Sequence, residues 1–71
     1  MKTYYERLRD LREDTDMTQT QIAKVLSMSQ SGYAKYESGG NIPTDVLISL
    51  AKFYCTSIDY LLGETDNPKR Y

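Results

Sequence analysis

The sequence predicts an all-α domain of five short helices. Three observations carry this. Apolar residues recur at three- and four-residue spacing, the period of one helix face. Hydroxyl residues precede several of these runs, at Thr18, Ser29, Thr44 and Ser57, where an oxygen can accept an orphan amide of the first turn. No stretch keeps the period-two alternation of a half-buried strand. Seventy-one residues suit one domain, with roughly 60% of the unfolded surface buried.

A first helix is expected over about residues 3–14, with Leu8, Leu11 and Tyr4 or Tyr5 inward and its charges on a solvated face. Asp14-Thr15-Asp16 breaks it, and Asp16 tolerates a left-handed conformation. Thr18 opens the second helix. Thr18 and Gln21 form a capping box, in which each side chain reaches the other's backbone amide. Ile22, Ala23 and Leu26 face inward, and Ser27-Met28-Ser29 resets the chain. Ser29 caps the third helix.

At ~100° per residue, Gln30, Ser31, Ala34, Lys35 and Ser38 share one arc of that helix, and Gly32, Tyr33, Tyr36 and Glu37 share the opposite one. Tyr33 and Tyr36 go to the core. Gly32 lets the neighbouring helix come close. Glu37 falls on the core margin, where an unpaired carboxylate is costly, and Arg12 is its candidate partner. Gly39-Gly40-Asn41 ends the helix and forms a flexible loop. Thr44 caps a fourth helix, about residues 44–54, with Leu47, Leu50, Ala51 and Tyr54 inward. Cys55-Thr56 is a turn. Ser57 caps a fifth helix, Ile58 to Leu62, and Gly63 stops it. Residues 1–63 are thus one domain. Residues 64–71, which include Pro68 and end at Tyr71, form a flexible tail.

Composition narrows the function. The chain has no histidine, the commonest general base and metal ligand, and one cysteine, Cys55, expected as a small half-buried residue. No apolar run approaches the ~20 residues of a membrane span. A cytoplasmic protein with no cofactor, metal, small-molecule ligand or catalytic role is expected. Glu13, Asp14 and Asp16 lack the alternating spacing of a calcium loop and read as a solvated turn. Most of the seven tyrosines read as core or interface aromatics rather than base-stacking platforms. The net charge of −1 gives no basic stripe, but its distribution is uneven. Residues 6–16 carry Glu6, Asp10, Glu13, Asp14 and Asp16 against Arg7, Arg9 and Arg12, whereas residues 17–44 carry only Lys24, Lys35 and Glu37. The second and third helices are therefore slightly positive. Any nucleic-acid contact there leans on neutral donors and helix N-termini.

LREDTDMTQTQIAKVLSMSQSGYAKYESG resembles the first three helices of the phage-repressor and Cro-like helix-turn-helix family, and IPTDVLISLAKFYCTSIDYLLG resembles its last two. The resemblance implies a five-helix, lambda-repressor-like DNA-binding domain whose second and third helices form the DNA-binding pair. Gln30, Ser31 and Lys35 match base-reading positions. Gln19 matches a residue that holds phosphate and braces Gln30. Thr18, Ser29, Ser38, Asn41 and Lys24 stand where phosphate contacts fall, and Lys24 touches a phosphate or nothing. Arg12 and Glu37 match a buried ion pair of several phage repressors. Glutamine can offer a donor and an acceptor together to adenine, and lysine can reach guanine or a phosphate. Ser27 stands where the turn usually has a left-handed glycine. Gly40-Asn41 replaces basic residues, and Cys55-Thr56 replaces glycine or asparagine followed by an aliphatic residue. Family practice points to a homodimer, with Phe53, Tyr60 and Leu62 on its surface. The expected function is a sequence-specific regulator, a repressor, acting as a dimer on a pseudo-palindromic operator in double-stranded DNA. The alternative is a protein–protein adaptor or antitoxin-type module on the same fold.

Overall fold

A computed structural model describes residues 2–67. Its helices are α1 (Tyr4–Asp14), α2 (Gln19–Val25), α3 (Gln30–Glu37), α4 (Thr44–Phe53) and α5 (Ile58–Leu61), with no strand among the described residues. Helix α3 packs on α2 and α1, and α5 packs on α4 and α1. Leu8, Ile22, Ala23, Tyr33, Leu50, Ala51 and Leu61 form the core between them. Burying one such leucine side chain contributes about 1.5–3 kcal/mol.

Four of the five helices open on a hydroxyl cap. The Thr18–Gln21 box is present: Thr18 Oγ1 accepts from Gln21 N at 3.1 Å, and Gln21 Oε1 accepts from Thr18 N at 2.8 Å. Ser29 and Ser57 cap α3 and α5. A second box, Thr3 with Glu6, starts α1 one residue later than the periodicity suggests. Helix α4 departs from expectation. Pro43 is its N-cap residue, and Thr44 is its first helical residue rather than its cap, with no side-chain cap bond. Proline's fixed φ still sets the entry, but it leaves the first amides without a side-chain acceptor.

All five helices end the same way. The residue after the C-cap has positive φ: Asp16 (57°), Ser27 (58°), Gly39 (102°), Cys55 (53°) and Gly63 (80°). The amide of that residue and the one after it fold back on the last turn, as in Ser27 N to Lys24 O at 3.1 Å and Met28 N to Ala23 O at 2.9 Å. This is the Schellman motif, which satisfies carbonyls the helix leaves bare. Glycine adopts it freely and aspartate at Asp16 tolerates it, whereas Ser27 and Cys55 each carry about 1–2 kcal/mol of left-handed strain.

Other expectations need correction. Cys55 is exposed rather than half-buried, because the left-handed turn lifts it from the core while Thr56 is buried. A Cβ at Gly32 would lie 3.0 Å from Ser29 Oγ and 3.2 Å from Met28 Cε, so the preceding turn, not a neighbouring helix, is what it makes room for. The Gly39-Gly40 loop is tied down: Tyr4 Oη donates to Gly39 O at 2.6 Å and Gly40 O at 3.0 Å. Helix α1 is not a wholly solvated charged face either. Arg7 is buried over the Tyr60 ring, 4.0 Å from its centroid, and donates to Asp66 Oδ1 at 2.9 Å. It also donates to Thr65 O at 3.3 Å, which anchors the chain just past Gly63 to α1. Residues 68–71, including Pro68 and Tyr71, lie outside the described residues.

Replacing Ser27 with glycine should remove the left-handed strain and lose part of that gain to unfolded-chain entropy. The expected net is about 0.5–1 kcal/mol of added stability. Urea unfolding should show a higher midpoint at unchanged slope, and Ser27→Val should move the midpoint the other way.

Candidate nucleic-acid interface

The caps decide where the two glutamines stand. Gln19 is the first residue of α2 and Gln30 the first of α3, each just after its capping hydroxyl. The turn between the helices brings them together, and Gln30 Nε2 donates to Gln19 Oε1 at 2.6 Å. Gln19 in turn donates from Nε2 to Glu37 Oε1 at 3.1 Å. Glu37, at the far end of α3, accepts from Arg12 twice: Nε to Oε2 at 2.7 Å and Nη2 to Oε1 at 3.1 Å. Arg12 completes the set with Nη1 to Met17 O at 2.9 Å. One connected network therefore runs from α1 to the exposed start of α3.

Electrostatics hold the network in one state. Burial pushes the Glu37 carboxyl up, but interactions with Arg12, then with the Tyr33 hydroxyl and Gln19, outweigh it and hold the group below its ordinary value of 4.5. Arg12 is held above its ordinary value, chiefly by the same carboxylate. Burial, and next to it the contact with the Glu37 carboxylate, push the Tyr33 hydroxyl well up, and burial with the Glu37 charge pushes the Tyr54 hydroxyl to about 12. Neither hydroxyl makes a bond of full hydrogen-bond geometry. The Glu37 side chain is 2% exposed, so its charge is absent from the surface. Of the charges in residues 17–44, only Lys24 and Lys35 remain exposed.

Gln30, Ser31 and Lys35 are exposed along one side of α3, opposite buried Tyr33 and Glu37. Thr18, Ser29, Lys24, Ser38 and Asn41 are exposed as well. Their donors are not equally available. Ser38 Oγ donates back to Ala34 O at 3.1 Å, so its proton is committed within the helix. Ser29 Oγ accepts from Gly32 N at 3.1 Å and lies 3.4 Å from Ser31 Oγ. Away from this face, Phe53 (41%) and Leu62 (39%) are exposed, as are Val25 (47%) and Ile48 (42%), which the sequence did not single out. Tyr60 is half-buried, and one ring face is covered by Arg7. Arg7 was also missed as a structural residue. Its position between Tyr4 and Leu11 on the apolar arc was a usable signal. Among the described residues no group of His, Cys, Asp or Glu could hold a metal ion, and no helix is long and apolar enough to cross a membrane.

A family model described as helix-turn-helix, of the Cro/C1 type, matches residues 8–61. The chain belongs to this helix-turn-helix family. It is 41% identical over 66 residues to the uncharacterized HTH-type transcriptional regulator YobD of Bacillus subtilis, covering 92% of this chain and 59% of that one. It is 41% identical over 59 residues to the cryptic phage CTXphi transcriptional repressor RstR of Vibrio cholerae, covering 82% of this chain and 53% of that one. The HTH-type transcriptional activator BcrR of Enterococcus faecalis is 37% identical over 61 residues, with 84% and 30% covered. The helix-turn-helix domain described here thus spans between 30% and 59% of the length of these relatives. No solved structure matches this chain.

Removing the Glu37 carboxylate strands the Arg12 guanidinium. Breaking a buried pair this way costs about 3–5 kcal/mol, and the 13% exposure of Arg12 places Glu37→Ala at the lower end, near ~3 kcal/mol. Urea unfolding reads this directly, and a loss within experimental error would remove the pair as a stabilising element.

The pH dependence has a definite sign. With its folded pKa depressed, Glu37 contributes stability above its ordinary value of 4.5 that fades as pH falls through the folded value. The raised tyrosines act oppositely: their contribution is complete below about 10 and fades as pH rises toward the value of about 12 for Tyr54. Unfolding free energy measured from pH 7 down to 2 should fall, and Glu37→Gln should flatten that descent.

Proposed function

We propose that this chain binds double-stranded DNA sequence-specifically through the exposed side of α3 and regulates transcription as a homodimeric repressor on a pseudo-palindromic operator. The observation that carries the reading is the braced glutamine. Gln30 is exposed, at the start of a helix, and held at 2.6 Å by a partner itself fixed to the core. A pre-positioned carboxamide can offer a donor and an acceptor to an adenine edge, worth about 1–3 kcal/mol of discrimination. Ser31 and Lys35 extend the same side toward neighbouring bases or phosphates. Thr18, Ser29, Lys24 and Asn41 flank it for the backbone. Repression works by occlusion in this reading, and the chain has no catalytic role.

Size supports two copies. One domain measures 29 × 23 × 20 Å, and one helix reads few base pairs. Two domains fit side by side at the ~34–36 Å spacing of successive major grooves. Phe53 and Leu62 offer apolar surface for that pairing.

With two exposed lysines at the face, the salt dependence should be shallow, a slope of about −2 per protomer in log K against log salt. Gln30→Ala should cost base preference at one position of each half-site. Lys35→Ala should weaken all sequences alike if Lys35 contacts phosphate, or relax a second position if it reads a base. Competition binding against matched and random duplexes separates these outcomes. Absence of any salt-weakened binding to random duplex would favour the adaptor or antitoxin-type reading, in which a protein partner covers this face.

A further inference from the structure

We propose that buried Glu37 is a positioning residue for specificity: acting through Gln19, it sets which end of the Gln30 carboxamide faces the DNA. The inference rests on the DNA-reading function of α3 and names a determinant of it that makes no contact with DNA.

The polarity follows from what each group can do. An ionised carboxylate only accepts, and a carboxamide has one accepting and one donating end. Glu37, ionised beside Arg12, therefore obliges Gln19 to turn its NH2 toward it, as in the 3.1 Å bond. That turn leaves Gln19 Oε1 for its other neighbour. Gln30 must then spend one N–H on Gln19, as in the 2.6 Å bond. What remains outward on Gln30 is its oxygen and one N–H. That pair complements adenine, which presents a donating N6 amino group beside the N7 acceptor. Were the relay reversed, Gln30 would accept from Gln19 with one lone pair of its oxygen, and its oxygen and NH2 would trade places at the outer edge. The oxygen would then face the accepting N7 and the NH2 the donating N6 amino group, a mismatch that removes the preference for adenine. That preference is thus set at Glu37, three hydrogen bonds from the base.

The test uses Glu37→Gln, which keeps the shape and admits a donor at position 37, and Gln19→Glu/Glu37→Gln, which restores an acceptor facing Gln30. Binding is read by competition among duplexes that vary only the base pair whose preference Gln30→Ala abolishes. The wild-type chain should favour A·T there by about tenfold or more. Glu37→Gln should bring A·T and G·C within about threefold while random-duplex affinity stays unchanged. The double variant should recover the A·T preference. An unchanged preference in Glu37→Gln overturns the proposal. If that variant does not fold, Gln19→Leu, which spares the ion pair, must relax the same preference, and its failure to do so overturns the proposal equally.

A measurement without DNA separates the relay from the reading. In the free wild-type chain, one side-chain amide proton of Gln30 should exchange with solvent more slowly than those of exposed Gln21, and the difference should vanish in Gln19→Leu. Equal exchange at Gln30 and Gln21 overturns the relay. A slow proton in a chain with no base preference overturns the DNA reading instead, and the specificity role with it.

Discussion

An ionised carboxylate cannot stay inside a domain this small unless it is paired, and Glu37 is inside. It lies at the C-terminal end of α3, where the helix dipole adds an unfavourable ~0.3–1 kcal/mol. The bidentate bond from Arg12 outweighs that and the burial together, since charge-assisted pairs are roughly twice as strong as neutral ones. The geometry this imposes is specific. Arg12 comes from α1, Glu37 from α3, Gln19 from α2 and the Met17 carbonyl from the turn between α1 and α2. A hydrophobic cluster could hold the same helices with slack in register. A charged pair with two short bonds allows little, and the start of α3 is positioned accordingly.

The remainder of the fold supplies stability by repetition. Each helix is short, from four to eleven residues, well below the length at which an isolated helix persists in water. Caps and left-handed stops therefore matter more than propensity. The same two-bond ending closes every helix, even where the left-handed residue is Asp16, Ser27 or Cys55. Arg7 plays a role parallel to that of Arg12, joining α1 to the segment after α5.

Much of this was legible in the sequence because it is local. The Thr18–Gln21 box, the Ser29 and Ser57 caps, the stop at Gly63 and the two-faced α3 each depend on residues within one or two turns. Arg12 with Glu37 was legible for another reason: a carboxylate forced inward by helix period needs a cation, and the resemblance offered one. Part of what escaped was set by distant neighbours, and part by local backbone detail. Arg7 meets Asp66, 59 positions away, and no period reveals that. Pro43 displaces Thr44 from the cap because proline's fixed φ already gives the extended entry to the helix. Gly32 answers to the side chains of its own turn, and Cys55 turns outward because its φ is positive. On the side of α3 proposed to read DNA, the exposure of Gln30, Ser31 and Lys35 was readable, but the order of donors and acceptors through Gln19 needed coordinates.

The central claim is that a buried pair holds one side of α3 as a reader of DNA. The most direct measurement is selection of bound duplexes from a random pool with the purified chain at about 0.15 M salt, followed by sequencing. The account predicts a short inverted repeat with half-sites one helical turn apart and an A·T pair at the position Gln30 reads. Recovery of no sequence above the starting pool would contradict it.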